Sequence, residues 1–351
     1  MRFLPFAFGF SRRDVAVDLG TVNTTVCAQG GELVVAEPSI VAVDAGTGGA
    51  LAVGSEAGEL LDGEGISIIR PLKVGMIVDV EAAAEMLRRL IGNVRRYVGG
   101  RPRVLASVSG AVSAVQRRAV VEACMMAGGR EVRLISTPIA AALGSGLPVQ
   151  EPTGSMVLDL GGGRCDVAVI SMGAIVASRS IPVGGCDLDR RIVAHLKRRH
   201  RVLIGEQTAE QIKLQIGSAS THVEDAQMEI LARDIASGGL KRVRLTRQEI
   251  RGVLEDPIAQ VIRAAQETLA CTSPELACDV MDRGILLTGG ASLLHGLAER
   301  LSCHTGTPAR VAERPGTCIA IGAARALDHQ SLVVNRACAP ALTVTTAAAP
   351  T

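Results

Sequence analysis

Apolar positions along this chain follow two different periods, and the switches between them predict its elements. The run Val15-Ala16-Val17-Asp18-Leu19-Gly20 is apolar and β-branched until it meets an Asp and a Gly turn, which reads as a buried strand ending in a loop. Val26–Ala28 and Leu33–Val35, with Gly30-Gly31 between them, predict a hairpin, and Ser39–Val43 and Leu51–Val53 predict short strands. At Val80–Val98 the period becomes helical, with Ala82, Met86, Leu87, Leu90, Ile91 and Val94 on one face. A strand at Arg103–Val108, a helix at Ala114–Met126 ended by Gly128-Gly129, a strand at Val132–Ser136 and a helix opened by Pro138 complete this half.

The opening pattern then returns. Met156-Val157-Leu158-Asp159-Leu160-Gly161-Gly162-Gly163 repeats the strand, Asp and Gly turn, and Val167–Ile170 with Ala174–Ser178 repeats the hairpin. So long a repeat predicts two duplicated lobes, joined near Glu151-Pro152-Thr153-Gly154. The second half adds helices at about 187–200, 207–217, 247–254 and 256–271. A strand at Arg283–Thr288, a helix running from Gly289-Gly290 to Leu301, and a last helix at Ile319–Leu327 follow. The expected architecture is α/β and two-lobed, a duplicated mixed β-sheet with helices on both faces. Residues 14–150 form lobe I with a subdomain inserted at about 34–74, and residues 151–327 form lobe II with one inserted at about 183–246. Segment 318–327 is expected to pack back on lobe I, residues 1–13 to form a separate N-terminal segment, and 328–351, rich in Ala, Thr and Pro, to be a disordered tail.

Composition narrows the functions. The 351 residues hold no Trp, one Tyr and four Phe, and all four Phe lie in the first ten positions. Base-stacking RNA or single-strand binding needs rings the body lacks, and a net charge of +2 gives no field for nucleic acid. Nine scattered Cys without a C-x-x-C pair predict reduced thiols in a cytosol, with no disulfide framework and no zinc site. No apolar run reaches the roughly 18 residues a membrane span needs. Residues 1–13 lack a small-residue cleavage site, so they are expected to stay on the protein. Phe3, Phe6 and Phe10 would share a helical face, with Phe8 beside them and Arg2, Arg12 and Arg13 as flanks. That combination fits a membrane interface, although Pro5 and Gly9 weaken the helix; folding back onto the lobe or packing in a filament is the alternative.

The candidate chemistry sits at the two repeated turns. Gly-containing turns let backbone N–H groups surround phosphate oxygens, and Asp18 and Asp159 would hold a hydrated Mg²⁺, which keeps most of its waters. One such turn is weak evidence, but a pair in duplicated contexts is strong.

The chain resembles the actin, heat-shock chaperone and sugar-kinase ATPase superfamily, and within it the bacterial actins of the MreB/Mbl type. The residues that carry this include Asp18-Leu19-Gly20-Thr21, Glu37-Pro38-Ser39-Ile40, Arg70-Pro71-Leu72-Lys73, Pro138-Ile139-Ala140-Ala141-Ala142, Asp159-Leu160-Gly161-Gly162-Gly163 and Asp282-Arg283-Gly284-Ile285, spread over roughly 14–327. The resemblance implies an ATP cleft between the lobes. Gly20, Thr21 and Asn23 would form the first phosphate loop, and Gly161, Gly162, Gly163 and Arg164 the second. Asp187 would lie near the ribose, Glu210 and Lys213 beside the adenosine, and Gly289 and Gly290 beneath it. Without the resemblance, Glu210 and Lys213 read as a solvated surface pair. The implied partners are further copies of the chain or another MreB-type protein, the inner face of the cell membrane and the cell-wall elongation machinery, with no nucleic acid. The implied location is cytoplasmic and peripheral on that membrane.

The departures from the family pattern matter as much. Thr137 stands where the family carries the Glu that positions or activates the attacking water, and a neutral hydroxyl is no base near pH 7. Arg164 replaces a small hydroxyl residue; it would pair with the terminal phosphate, fill the space of Mg²⁺–ATP, or point to solvent. Val74 replaces an Asp and Ala291 a third Gly. Three functions follow: a filament-forming cytoskeletal ATPase with weak or lost hydrolysis, a degenerate regulator of a true filament, or a metabolite kinase, for which no candidate Asp base is found.

Overall fold

The computed structural model describes residues 14–31, 34–60, 63, 65–98, 101–220 and 226–327. The N-terminal Phe cluster and the tail from 328 lie outside the described residues. Lobe I opens with strands β1 (Val15–Leu19), β2 (Asn23–Ala28) and β3 (Val34–Pro38). A small inserted sheet follows, made of β4 (Val41–Asp44), β5 (Ala50–Val53) and β6 (Ile66–Ile69) with helix α1 (Ser55–Glu59), and then the hairpin β7 (Leu72–Lys73) and β8 (Met76–Ile77). Next come α2 (Val80–Val98), β9 (Arg103–Val108), α3 (Ala114–Met126), β10 (Glu131–Ser136) and α4 (Thr137–Gly144). The main sheet has the order β10-β9-β1-β2-β3, parallel on the β9 side of β1 and antiparallel on the β2 side. Because β3 pairs with β2 along Val34–Pro38, the insert expected from residue 34 starts only after Pro38.

Lobe II repeats this plan. Its elements are β11 (Ser155–Leu160), β12 (Cys165–Ser171), β13 (Ala174–Ile181), α5 (Gly185–Arg199), β14 (Val202–Leu203), α6 (Glu206–Ile216), β15 (Gln227–Asp234) and β16 (Leu240–Thr246). They continue with α7 (Arg247–Ala270), α8 (Pro274–Arg283), β17 (Ile285–Thr288), a 3₁₀ turn at Gly290–Leu293, α9 (Leu297–Thr305), β18 (Ala309–Val311) and α10 (Cys318–Ala326). The second main sheet runs β13-β12-β11-β17-β18, with the same parallel and antiparallel pairings as the first. Strands β14, β15 and β16 form the inserted sheet of this lobe.

Both faces of each main sheet are covered, which explains why their central strands read as continuous apolar runs. In β1, Val15, Val17 and Leu19 face the α2 and α3 side, while Ala16 faces the other way. In β11, Met156, Leu158 and Leu160 face α5, α6 and α7, while Val157 faces the other way. Those second faces share one core with α4 and α10, so a single apolar cluster holds residues of both lobes. Helix α10 packs on α4, β1, β2 and β9. The approach of α4 to α10 is close because Gly144 and Gly322 face each other's backbones. A Cβ on Gly322 would lie 1.8 Å from the Ala140 carbonyl oxygen, and one on Gly144 1.8 Å from that of Cys318.

Several elements differ from expectation. The two helices expected at 247–254 and 256–271 are one helix of 24 residues, with Pro257 inside it. Proline forfeits one helical hydrogen bond. The helix continues because Ile250, Leu254, Pro257, Ile258, Val261 and Ile262 are all buried along one side. The helix expected from Gly289 to Leu301 is a 3₁₀ turn and a separate helix that starts at Leu297, after Gly296 at φ +73°. Helix α8 and the β15–β16 hairpin were not foreseen. No helix among the described residues is long and apolar enough to cross a membrane.

Candidate functional site

The two Asp–Gly turns meet at the cleft between the lobes, a space of about 330 Å³. Asp18, Gly20, Thr21 and Asn23 line it from lobe I, with Thr137 at the start of α4. Asp159, Gly161, Gly162, Gly163, Arg164, Glu210, Lys213, Gly289 and Gly290 line it from lobe II. The volume falls within the roughly 300–1,000 Å³ of small-molecule pockets. All of these are positions that the sequence pattern or the family resemblance singles out, and one further assignment is displaced. Asp187 is not in the lining: its carboxylate pairs with Arg190 at 3.5 Å and Arg191 at 3.2 Å on the side of α5. The acid that α5 turns into the cleft is Asp189, two residues on.

Asp189 holds Lys213 at 2.9 Å, so Lys213 is a buried inward cation and not half of a surface pair with Glu210. One oxygen of Asp189 is bonded in this way, while Oδ1 is buried with no hydrogen-bond partner. An orphaned carboxylate oxygen on a residue that lines the cleft is an acceptor suited to a ligand hydroxyl. Burial raises the Asp189 pKa above the usual carboxylate range, and Lys213 pulls it back.

The two turns press against each other. The Thr21 hydroxyl accepts a hydrogen bond from the Gly75 N–H at 2.7 Å. A Cβ on Gly163 would fall 2.5 Å from Thr21 Oγ1 and 2.8 Å from the Val74 Cα, so only glycine fits there. Val74 and Gly75 join β7 to β8 with φ of +51° and +71°. Positive φ at both central residues is the requirement of a type I′ hairpin, and a β-branched residue is a poor occupant.

Three carboxylates crowd the floor. Asp18 accepts from Ser107 Oγ at 2.5 Å, Asp159 from Thr288 Oγ1 at 2.9 Å, and Asp166 from Ser109 Oγ at 2.8 Å and from Ser180 Oγ. Burial, and then the charges of Asp166 and Asp18, push Asp159 up to about 8. Burial also raises Asp18 and Asp166. Buried like charges of this kind invite a cation. Arg164 supplies part of that charge. It does not point to solvent: it lines the cleft, its Nη1 donates to Ser109 Oγ across the lobes at 3.2 Å, and its Nε is buried without a partner. Outside the lining, Arg70 of lobe I reaches Glu206 of lobe II at 3.1 Å. Of the neighbours that sequence reasoning missed, Asp166 is the second residue of β12, two after Arg164, and Ser109 is the residue that follows β9. Only the fold brings them together.

Two lobes with the same sheet topology, a shared helix pair beneath and a glycine-lined cleft between them define the actin-like fold. Comparison with known proteins agrees: the chain matches the MreB/Mbl protein family over residues 12–335. It is 41% identical over 328 residues to the cell shape-determining protein MreB of Escherichia coli K12, covering 91% of this chain and 94% of that protein. It is 38% identical over 327 residues to the cell shape-determining protein Mbl of Bacillus subtilis 168, covering 92% and 98%. Among solved structures, MreB5 of Spiroplasma citri bound to ADP superposes with a TM-score of 0.83 at 32% identity, over 89% of this chain and 95% of that one. The MamK double helical filament, at 20% identity and a TM-score of 0.75, shares the fold. The chain belongs to the MreB/Mbl family of actin-like, cell shape-determining cytoskeletal proteins.

Proposed function

We propose that this protein binds ATP with Mg²⁺ in the interlobe cleft, forms filaments on the inner face of the cell membrane and organises cell-wall synthesis there, with weak or lost hydrolysis. The observation that carries the reading is the composition of the cleft. It offers two glycine turns and three crowded carboxylates, and Thr137 where the chemistry needs a base. The resemblance to MreB5, solved with ADP and with AMPPNP, supports nucleotide binding.

The donor set fits the ligand. Asp18 and Asp159 would hold a hydrated Mg²⁺, which would offset the charge of the phosphates and quiet the repulsion among the carboxylates. The turns at Gly20–Asn23 and Gly161–Gly163 present backbone N–H groups to phosphate oxygens. Asp189 Oδ1 would accept from a ribose hydroxyl, and Glu210 and Lys213 would flank the base. Arg164, on leaving Ser109, would pair with the terminal phosphate. The Thr137 hydroxyl would not take a proton from water near pH 7, so bound ATP would persist.

Asp159 makes this reading testable through stability. Asp159→Asn keeps the acceptor for Thr288 and removes the one carboxyl whose ionisation burial and its two acidic neighbours oppose up to about pH 8. The variant is expected to melt at the same temperature as the parent or higher without nucleotide, and to lose at least ten-fold in Mg²⁺-dependent ATP affinity. A melting point lowered by several degrees would contradict the crowding.

The anchoring half of the reading rests on Phe3, Phe6, Phe8 and Phe10 with their Arg flanks. Electron microscopy of the purified chain with ATP on a lipid monolayer is expected to show membrane-bound filaments. Deleting residues 2–10 should abolish liposome co-sedimentation. Filaments absent with and without ATP would favour the regulator reading, in which the chain joins another MreB-type filament. Unchanged liposome binding by the deletion would remove the anchor from those residues.

A further inference from the structure

A second cluster of ligating side chains lies outside the cleft, where α5 ends and α7 begins. His195 stands on α5, His200 is the residue that caps its C-terminus, and Glu249 lies in the first turn of α7. Each imidazole Nε2 lies 2.7 Å from the same carboxylate oxygen, Glu249 Oε1. The three ligating atoms are all within 4.8 Å of one another. The side chains are about one-fifth exposed, at 23%, 23% and 22%, which leaves the cluster open to ions from solvent.

We propose that His195, His200 and Glu249 form a divalent transition-metal site of the zinc type, with water in the fourth position. Two imidazoles and one carboxylate are a zinc donor set, and the four residues between the histidines match the spacing common for zinc ligands. Ligand atoms around a tetrahedral zinc stand about 3.3 Å apart, so each nitrogen has to retreat from Oε1 by about 0.6 Å. That is small for half-buried side chains at two helix ends. The cluster is held by backbone as well: Thr246 Oγ1 accepts from the Glu249 N–H at 3.2 Å, which fixes the helix turn that carries the carboxylate. Lys241 donates to the His200 carbonyl at 3.0 Å and is paired with Asp234 at 3.5 Å, so its charge is offset.

The bound ion would clamp α5 to α7 across the base of the inserted sheet of lobe II. The spacing was visible in the sequence, but Cys-based reasoning excluded zinc because there was no Cys pair. The third ligand comes from 49 residues beyond His200, and only the fold supplies it.

Cobalt titration of the purified full chain tests the site. One Co²⁺ per chain should give the visible bands of tetrahedral coordination, and Zn²⁺ should bleach them. His195→Gln and His200→Gln should each weaken binding at least ten-fold, while His304→Gln leaves it unchanged. Absence of bands, or bands that survive both substitutions, would overturn the proposal. Should the variants fail to fold, carbethoxylation of the wild-type chain mapped by mass spectrometry decides. Zn²⁺ is expected to protect His195 and His200 selectively, and unprotected histidines would contradict the site.

Discussion

The Thr137→Glu, Arg164→Thr double variant is expected to hydrolyse ATP about 10²–10⁴ times faster than the parent, the range a positioned general base contributes. Thr137 ends the line from β10 into α4, is 8% exposed and lines the cleft with Asp18 and Gly163. A carboxylate there would sit in the low-dielectric space that already raises Asp18, Asp159 and Asp166, so its own pKa would rise toward the range of an effective base. Arg164→Thr restores a small hydroxyl and frees Ser109 from its bridge across the lobes. Each single change should recover part of the rate, and phosphate release measures both. Equal rates for parent and double variant would mean that position 137 does not face the reacting phosphate.

Gly322→Ala is expected to cost about 3–5 kcal/mol of stability, read by urea unfolding, the upper end of what single substitutions do. The added carbon has no place: it would lie 1.8 Å from the Ala140 oxygen and 2.4 Å from the Gly144 nitrogen, both backbone atoms that cannot swing aside. The helices must separate, and the shared core of Ala140, Ala141, Ile319 and Ala323 opens with them. Function should fall with stability, because α4 begins at Thr137 and Ile319 of α10 also lines the cleft. A loss below about 0.5 kcal/mol would show that the crossing is looser than drawn.

Much of the fold was legible because its strongest signals are local. The strand, Asp and Gly turn at 18–20 and again at 159–163 announced the duplication, and the helical face of Met86, Leu87, Leu90 and Ile91 announced α2. Long-range packing overrode local signals elsewhere. Pro257 marked a helix boundary by propensity, yet buried residues before and after it carried α7 through. The cleft was legible at its loops and blurred on its helices: Asp187 and Asp189 are two residues apart, and only the docking of α5 decides which faces Lys213. The bridge from Arg164 through Ser109 to Asp166 joins two lobes, so no sequence window contains it. Gly144 and Gly322 carry no motif, and their meaning appears only when α4 meets α10.

The central claim is a cleft that takes ATP and keeps it. Its most direct test is to load the wild-type chain with ATP and Mg²⁺, remove free nucleotide, and follow the bound nucleotide by chromatography. The account predicts stoichiometric nucleotide recovered as ATP long after a catalytically complete relative would have converted it to ADP. Prompt conversion to ADP and phosphate would contradict it.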